Sequence, residues 1–372
     1  MQEAHDHPLA HCGGAQFSIA AEQSARSDLF SATGSPSAPP DPVEVFLGQP
    51  VTITRLMEHR VPPNLEGLEM LAVDGSWRAV ISLADRLLNS SHPVDQLLRI
   101  RWYRIVAFLK TREVALAEKE FALLGDLRGP SWMYERYPGI FPGRKGSMVP
   151  FAMLLLQALL PSYGGDHQTT LTRLYEVLHS CESKLKDATD PKLVRQLKLE
   201  RQQLLLALVN IFCALSDLPT AIAHLDVLVA EADDLESAAP IEAARPERKM
   251  SLGSVARGEP VSKAHLISLL GRIHVQVGDT ASAELTFRGL EEMVGAAAED
   301  VASQAEVHLN RGILQIARGQ YEAALMDFNR VLVLDPDNVI AANNCAVCHL
   351  FSERRAAIPP SRHPAIPPSR HP

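Results

Sequence analysis

The stretch Ala305–Asn338, AEVHLNRGILQIARGQYEAALMDFNRVLVLDPDN, decides the fold. It reads as two amphipathic helices joined at Gly319. Gly312, the eighth residue, lacks a side chain where two antiparallel helices must approach closely. Gly319 supplies the turn, and Tyr321 follows it as the first aromatic of the second helix. Ala324 is small where the helices cross, and Phe328 fills the groove between them. Pro336 ends the unit because proline cannot continue a helix. Arg311 and Gln315 occupy places that are usually apolar.

A unit of this length and pattern is a tetratricopeptide (TPR) repeat. The same spacing recurs upstream. From Ala264, Leu270-Gly271 stand at the close approach, Gly278-Asp279 at the turn, Ala283 at the crossing and Phe287 in the groove. From about Gln202, Ala221 and Leu225 keep the last two places, with Ser216-Asp217 replacing the turn glycine. Weaker units run through Gly75-Ser76-Trp77, through Phe108, Ala117 and Phe121, and through Leu171, Leu174 and Val177. The predicted class is all-α, a TPR-type α-solenoid of antiparallel helix hairpins with disordered termini.

The predicted organisation follows the breaks in this pattern. Residues 1–42, rich in Ser, Pro, Gly and His, read as a disordered tail. Degenerate hairpins fill 43–128, and a Pro/Gly/aromatic loop spans 129–151. Middle hairpins fill 152–235, a polar insert covers 236–260, and TPR units occupy 261–350, the last incomplete. A tail at 351–372 ends in the octapeptide AIPPSRHP written twice. The helix starting at Val339 lacks its partner and is expected to fray; strong amide protection of 339–350 would contradict that.

Composition narrows the function classes. The net charge of −8 gives no basic footprint for nucleic acid. The N-terminus has no secretory pattern, and Leu204–Leu218 is too short to span a bilayer. Five scattered cysteines fit a reducing compartment better than a disulfide framework. A protein without direct membrane insertion, in the cytoplasm, is expected.

No catalytic constellation emerges: no serine lies in a G-x-S-x-G frame, and carboxylates are spread over helix faces. Gly139–Ser147 fails the phosphate-loop pattern because Arg144-Lys145 stand where Gly-Lys should be. Cys345-Ala346-Val347-Cys348-His349 matches the haem-attachment spacing, but the repeat register accounts for each of these residues. His5, His7, His11 and Cys12 read as solvated tail residues rather than a metal site. The chain is therefore expected not to be an enzyme and to hold no cofactor or metal. Ser251, three residues after Arg248, is a candidate phosphorylation site. In the 129–151 loop, Tyr134, Tyr137, Ile140 and Phe141 are too apolar for an idle loop. With Arg144 and Lys145 they are the candidate partner-binding residues, and Tyr137→Ala with Phe141→Ala is expected to weaken assembly. A co-chaperone clamp or general peptide adaptor is the alternative. Its carboxylate-binding places hold Ser268 and Arg272, then Leu309 and Ile313, and only Arg272 has the chemistry.

The stretch Tyr134–Phe151, YERYPGIFPGRKGSMVPF, resembles a signature of the TPR subunits of the trafficking protein particle (TRAPP) complex. Trp77-Arg78-Ala79-Val80, Ala117-Glu118 with Glu120-Phe121, Gly271-Arg272-Ile273, Gln276–Asp279, Asp335-Pro336 and Ala342-Asn343-Asn344 extend the resemblance over roughly residues 65–350. It implies a scaffold in the type III complex, which tethers vesicles between endoplasmic reticulum and Golgi. Its partners would be other TRAPP subunits and, indirectly, a Rab GTPase and transport vesicles. The family also implies a role at mitotic kinetochores. Relatives carry a long disordered N-terminal half and further helices past Leu350, so the chain reads as a shortened form.

Overall fold

A computed structural model describes residues 56–236, 261–295 and 301–357. The tails at 1–42 and 358–372 and the insert from 237 to 260 lie outside the described residues. Among those described, every regular element is helical, apart from a single antiparallel bridge between Met133 and Ser147. The protein is all-α and built from helix pairs. It divides into two units, one holding the described residues up to Asp217, the other 218–233 and those from Val261 on.

In the first unit, α1 (Leu65–Asp74) and α2 (Trp77–Leu88) form the opening pair. Asn64 starts α1 by accepting the Gly67 backbone N–H at 3.0 Å. Gly75, at φ 77°, makes the turn that proline or a β-branched residue could not. On α2, Val80, Leu83, Ala84 and Leu87 form one buried stripe at helical spacing. It packs against Leu68 and Leu71 of α1 and against Ile100 and Tyr103 of α3 (Val94–Lys110). The opposite side of α3 presents Phe108 to Ala117 and Phe121 of α4 (Val114–Leu124). Arg112, at φ 63°, takes the turn between α3 and α4.

After the 125–150 loop come α5 (Phe151–Tyr163), α6 (His167–Asp187) and α7 (Pro191–Ala214). Asp166 starts α6 by accepting the Thr169 backbone N–H at 3.0 Å. Asp190 starts α7, with Pro191 in the first-turn place that has no use for an N–H. Between α6 and α7 the buried Cys181 thiol donates to the Leu197 carbonyl at 3.4 Å. Ser216, at φ 60°, takes the left-handed place where other repeats use glycine.

The second unit contains α8 (Leu218–Glu236), α9 (Lys263–Val277), α10 (Thr280–Gly295), α11 (Val301–Ala317), α12 (Tyr321–Leu334) and α13 (Val339–Ala357). Ala221 and Leu225 of α8 are fully buried. The pairs α9–α10 and α11–α12 close by the same device. A Cβ on Gly271 would lie 2.2 Å from the Phe287 ring, and one on Gly312 2.6 Å from the Phe328 ring. Each phenyl ring thus lies on bare backbone, as the repeat pattern requires. Ala283 and Ala324 are fully buried at the crossings, and Gly278 and Gly319 turn at φ 88° and 72°. Pro336 sits in the short link from α12 to α13, and Asn338 starts α13 by accepting the Ala341 N–H at 3.0 Å.

The last helix runs past Leu350 to Ala357, so the regular structure continues into the segment expected to be tail. Its inner face is packed. Ala341 and Cys348 are fully buried, and Phe351 stacks on Tyr321 with centroids 5.1 Å apart. These contacts carry the helix beyond the point at which the repeat pattern stops.

Candidate functional site

The loop from Gly125 to Pro150 is anchored from below. Leu127, Trp132, Met148 and Val149 are buried in the core that α3, α4 and α5 share. The Trp132 indole N–H donates to the Leu124 carbonyl at 3.2 Å, satisfying an acceptor that the end of α4 leaves open. The two arms are tied by backbone bonds: Tyr134 N–H to the Gly146 carbonyl at 2.9 Å, and Met148 N–H to the Trp132 carbonyl at 2.8 Å. The sequence reading missed Trp132 and Met148 as anchors. A tryptophan inside a Gly/Pro stretch was the available signal.

Above this clamp, residues 134–146 fold back on themselves. The Ile140 and Phe141 N–H groups both donate to the Tyr137 carbonyl, and Gly143 and Gly146 turn at φ 76° and 96°. Tyr134, Tyr137 and Phe141 pack half-buried onto the core beneath. Tyr134 meets Phe141 edge-on at 5.2 Å, and the Tyr137 hydroxyl donates to the Ser131 carbonyl at 3.1 Å. The Arg144 guanidinium lies over the Tyr134 ring at 5.7 Å. Glu135 accepts the Gly146 N–H at 2.8 Å, and that bond holds its carboxyl below the usual carboxylate range. The six candidate residues therefore divide. Tyr134, Tyr137 and Phe141 hold the loop together, while Ile140, 54% exposed, and the exposed Arg144 and Lys145 face outward. Arg136 joins them as a further exposed cation. Replacing Tyr137 and Phe141 by alanine thus perturbs the loop itself, not a contact alone.

Beside the loop a cleft of about 740 Å3 opens between α4, α5 and the start of α6, lined in part by Phe121, Gln157, Pro161 and Arg173. Its lining also includes Glu118, Asp166 and Thr169, and Asp166 is engaged by the Thr169 backbone N–H at the start of α6.

The carboxylate-clamp positions are occupied from within. Ser268 is fully buried and accepts from the Asn310 amide at 2.8 Å. The Arg272 Nε donates to Asn310 Oδ1 at 2.8 Å, and its guanidinium lies 3.6 Å from Glu306. His265 meets the same Glu306 carboxylate at 3.2 Å. Leu309 and Ile313 belong to the core. This polar line joins α9 to α11 and uses the one cation that a peptide carboxylate would need.

The cysteines of the Cys345–His349 stretch share one face of α13. Cys348 is fully buried, Cys345 lies 3.8 Å from Asn329 of α12, and His349 is exposed. Burial pushes the Cys348 thiol up to about 11, and does the same to Cys181. Both are core thiols, and the three-residue haem spacing has its histidine turned away. Among the described residues no group of His, Cys, Asp and Glu could hold a metal ion, and no helix is long and apolar enough to cross a membrane. Ser251 and the His5–Cys12 cluster lie outside the described residues.

A tetratricopeptide repeat family matches residues 305–338, the same limits that the sequence pattern sets. A Mus musculus protein is 29% identical over 337 residues, which cover 82% of this chain, and its Homo sapiens counterpart is 29% identical over 336. The chain is similar to trafficking protein particle complex subunit 12. The matched part makes up 38% of the mouse protein and 42% of the human one, so the chain spans about two fifths of the length of these relatives. Both relatives are, by name, subunits of a larger particle. The resemblance read from the loop and the repeats thus extends over most of this chain.

Proposed function

We propose that this chain is a non-catalytic scaffold subunit of a trafficking protein particle complex of type III, acting in vesicle tethering between endoplasmic reticulum and Golgi. It works in the cytoplasm, at the periphery of the intermediate compartment and Golgi membranes. Its direct partners are other subunits of the particle, and it meets a Rab GTPase and transport vesicles through them. The observation that carries this reading is the similarity to subunit 12 over 82% of the chain. The physical character of the chain supports it. Helix pairs give much surface per residue, and geometry and affinity are what such surface offers. The peptide-clamp alternative loses ground because Arg272, its one suitable cation, is bound to Asn310 and lies against Glu306.

The test is purification of the tagged 372-residue chain from its own cells, with quantitative mass spectrometry. Recovery of trafficking protein particle subunits in near-equal amounts is expected. Recovery of chaperones alone, at any salt concentration, would contradict the reading.

A further inference from the structure

The last helix, α13, keeps one face uncovered. Its inner side is packed through Ala341, Asn344 and Cys348. On the opposite side Val339 and Leu350 are 60% and 61% exposed, with Asn343 and Ala346 exposed between them. The steps along this face are four, three and four residues, the seam that one helix offers another in a coiled coil. In the complete pairs the residue equivalent to Ala346 is Gly271 or Gly312, and each lies under a phenyl ring of the following helix. By the same register the helix that would cover Ala346 falls on residues 355–368. Pro359, Pro360, Pro364, Pro367 and Pro368 are incompatible with such a helix, and Arg362 stands in the place of Phe328. The seam is thus left for a helix from outside this hairpin.

The seam is nearly its own complement, and that selects the occupant. About a centre between Asn344 and Cys345, Val339 mirrors Leu350, Asn343 mirrors Ala346 and Ala342 mirrors Val347. Two copies meeting antiparallel across a two-fold axis therefore set valine against leucine at both ends. Small side chains fall in the middle, where the helices approach most closely. Asn343 of each copy lies beside the axis, where the two amides pair and fix the register. In sequence, Asp335 and Asp337 precede α13, and Arg354 and Arg355 belong to its last turn. An antiparallel pair sets the acidic start of each helix beside the basic end of the other, which a parallel pair would not. We propose that this face of α13 pairs with the same face of a second copy of the chain.

The experiment is sedimentation equilibrium of the full 372-residue chain. One helix pair is a small interface, so a monomer–dimer equilibrium with a dissociation constant of about 10–100 μM is expected. Asn343→Lys and Ala346→Glu each bring like charges together beside the axis, and each is expected to weaken the dimer about tenfold or more. Both positions are exposed, so far-ultraviolet circular dichroism should stay unchanged. An equal mixture of the two variants is expected to dimerise again, because the introduced lysine then faces the introduced glutamate across the seam. Without any variant, amide exchange over 339–350 of the wild-type chain should slow as concentration rises. A chain that stays monomeric, a dimer that both variants keep, or a mixture of folded variants that does not recover overturns the proposal. Exchange at 339–350 that ignores concentration in a dimerising chain places the contact elsewhere and overturns it too. Slowing of 339–350 only when a reconstituted trafficking protein particle lacking subunit 12 is added makes the occupant another subunit, and overturns the second copy. The scaffold reading does not depend on any of these outcomes.

Discussion

Phe328→Ala is expected to destabilise the second unit by about 3–5 kcal/mol, the usual range for losing a buried phenyl ring. The ring is fully buried, and its edge lies where a Gly312 side chain would begin, at 2.6–3.0 Å. Gly312→Ala sets two effects against each other. Alanine favours the helix by about 1 kcal/mol over glycine. Forcing a methyl group into the ring costs about 1–3 kcal/mol, so the single change is expected to destabilise. With Phe328→Ala already in place the clash is gone, and Gly312→Ala should become neutral or stabilising. The pair should therefore couple by about 1–3 kcal/mol. Urea unfolding with hydrogen exchange at 305–338 separates this unit from the other. Two changes that simply add would show that the ring does not rest on the glycine.

Glu120→Ala is the second large effect, in the first unit. The Glu120 side chain, 5% exposed, receives Arg101 at 2.9 Å and stands 3.3 Å from Arg104. Arg104 also meets Asp85 at 3.0 Å. Removing the carboxylate leaves two poorly hydrated guanidinium groups without it, at a cost of about 3 kcal/mol. The low end of the usual range applies because both arginine side chains keep some water, at 22% and 23% exposure. Asp85→Ala is the control. Its side chain is 49% exposed, so its loss should cost no more than about 1 kcal/mol. Equal effects of the two changes on the unfolding midpoint would sink the argument that burial, not ion pairing as such, sets the cost.

These two sites mark different depths of legibility. Gly312 and Phe328 lie in one hairpin, so their contact is written in local spacing. Glu120 entered the sequence reading only through the resemblance, beside Phe121, with no sign that it is buried. Its burial follows from the approach of α3, and no pattern within α4 announces it. Ser216 is a similar case, since it takes a left-handed turn without being glycine.

The loop was recognisable as a whole, and six of its residues stood out as candidates, four of them for their apolar character. Their division into inward and outward sets was not readable. That division depends on Trp132 reaching the Leu124 carbonyl and on Met148 pairing with Trp132 across the loop. Likewise Arg272 looked available to a peptide until Asn310 and Glu306, from another repeat, were placed beside it.

The sequence by itself determined the helical class, the 34-residue unit at 305–338 and the residues at each close approach, because helix period and turn chemistry act over a few residues. The tertiary structure decided which polar groups are consumed, which loop residues face out and how far the last helix runs. Those outcomes depend on burial and on partners distant in the chain.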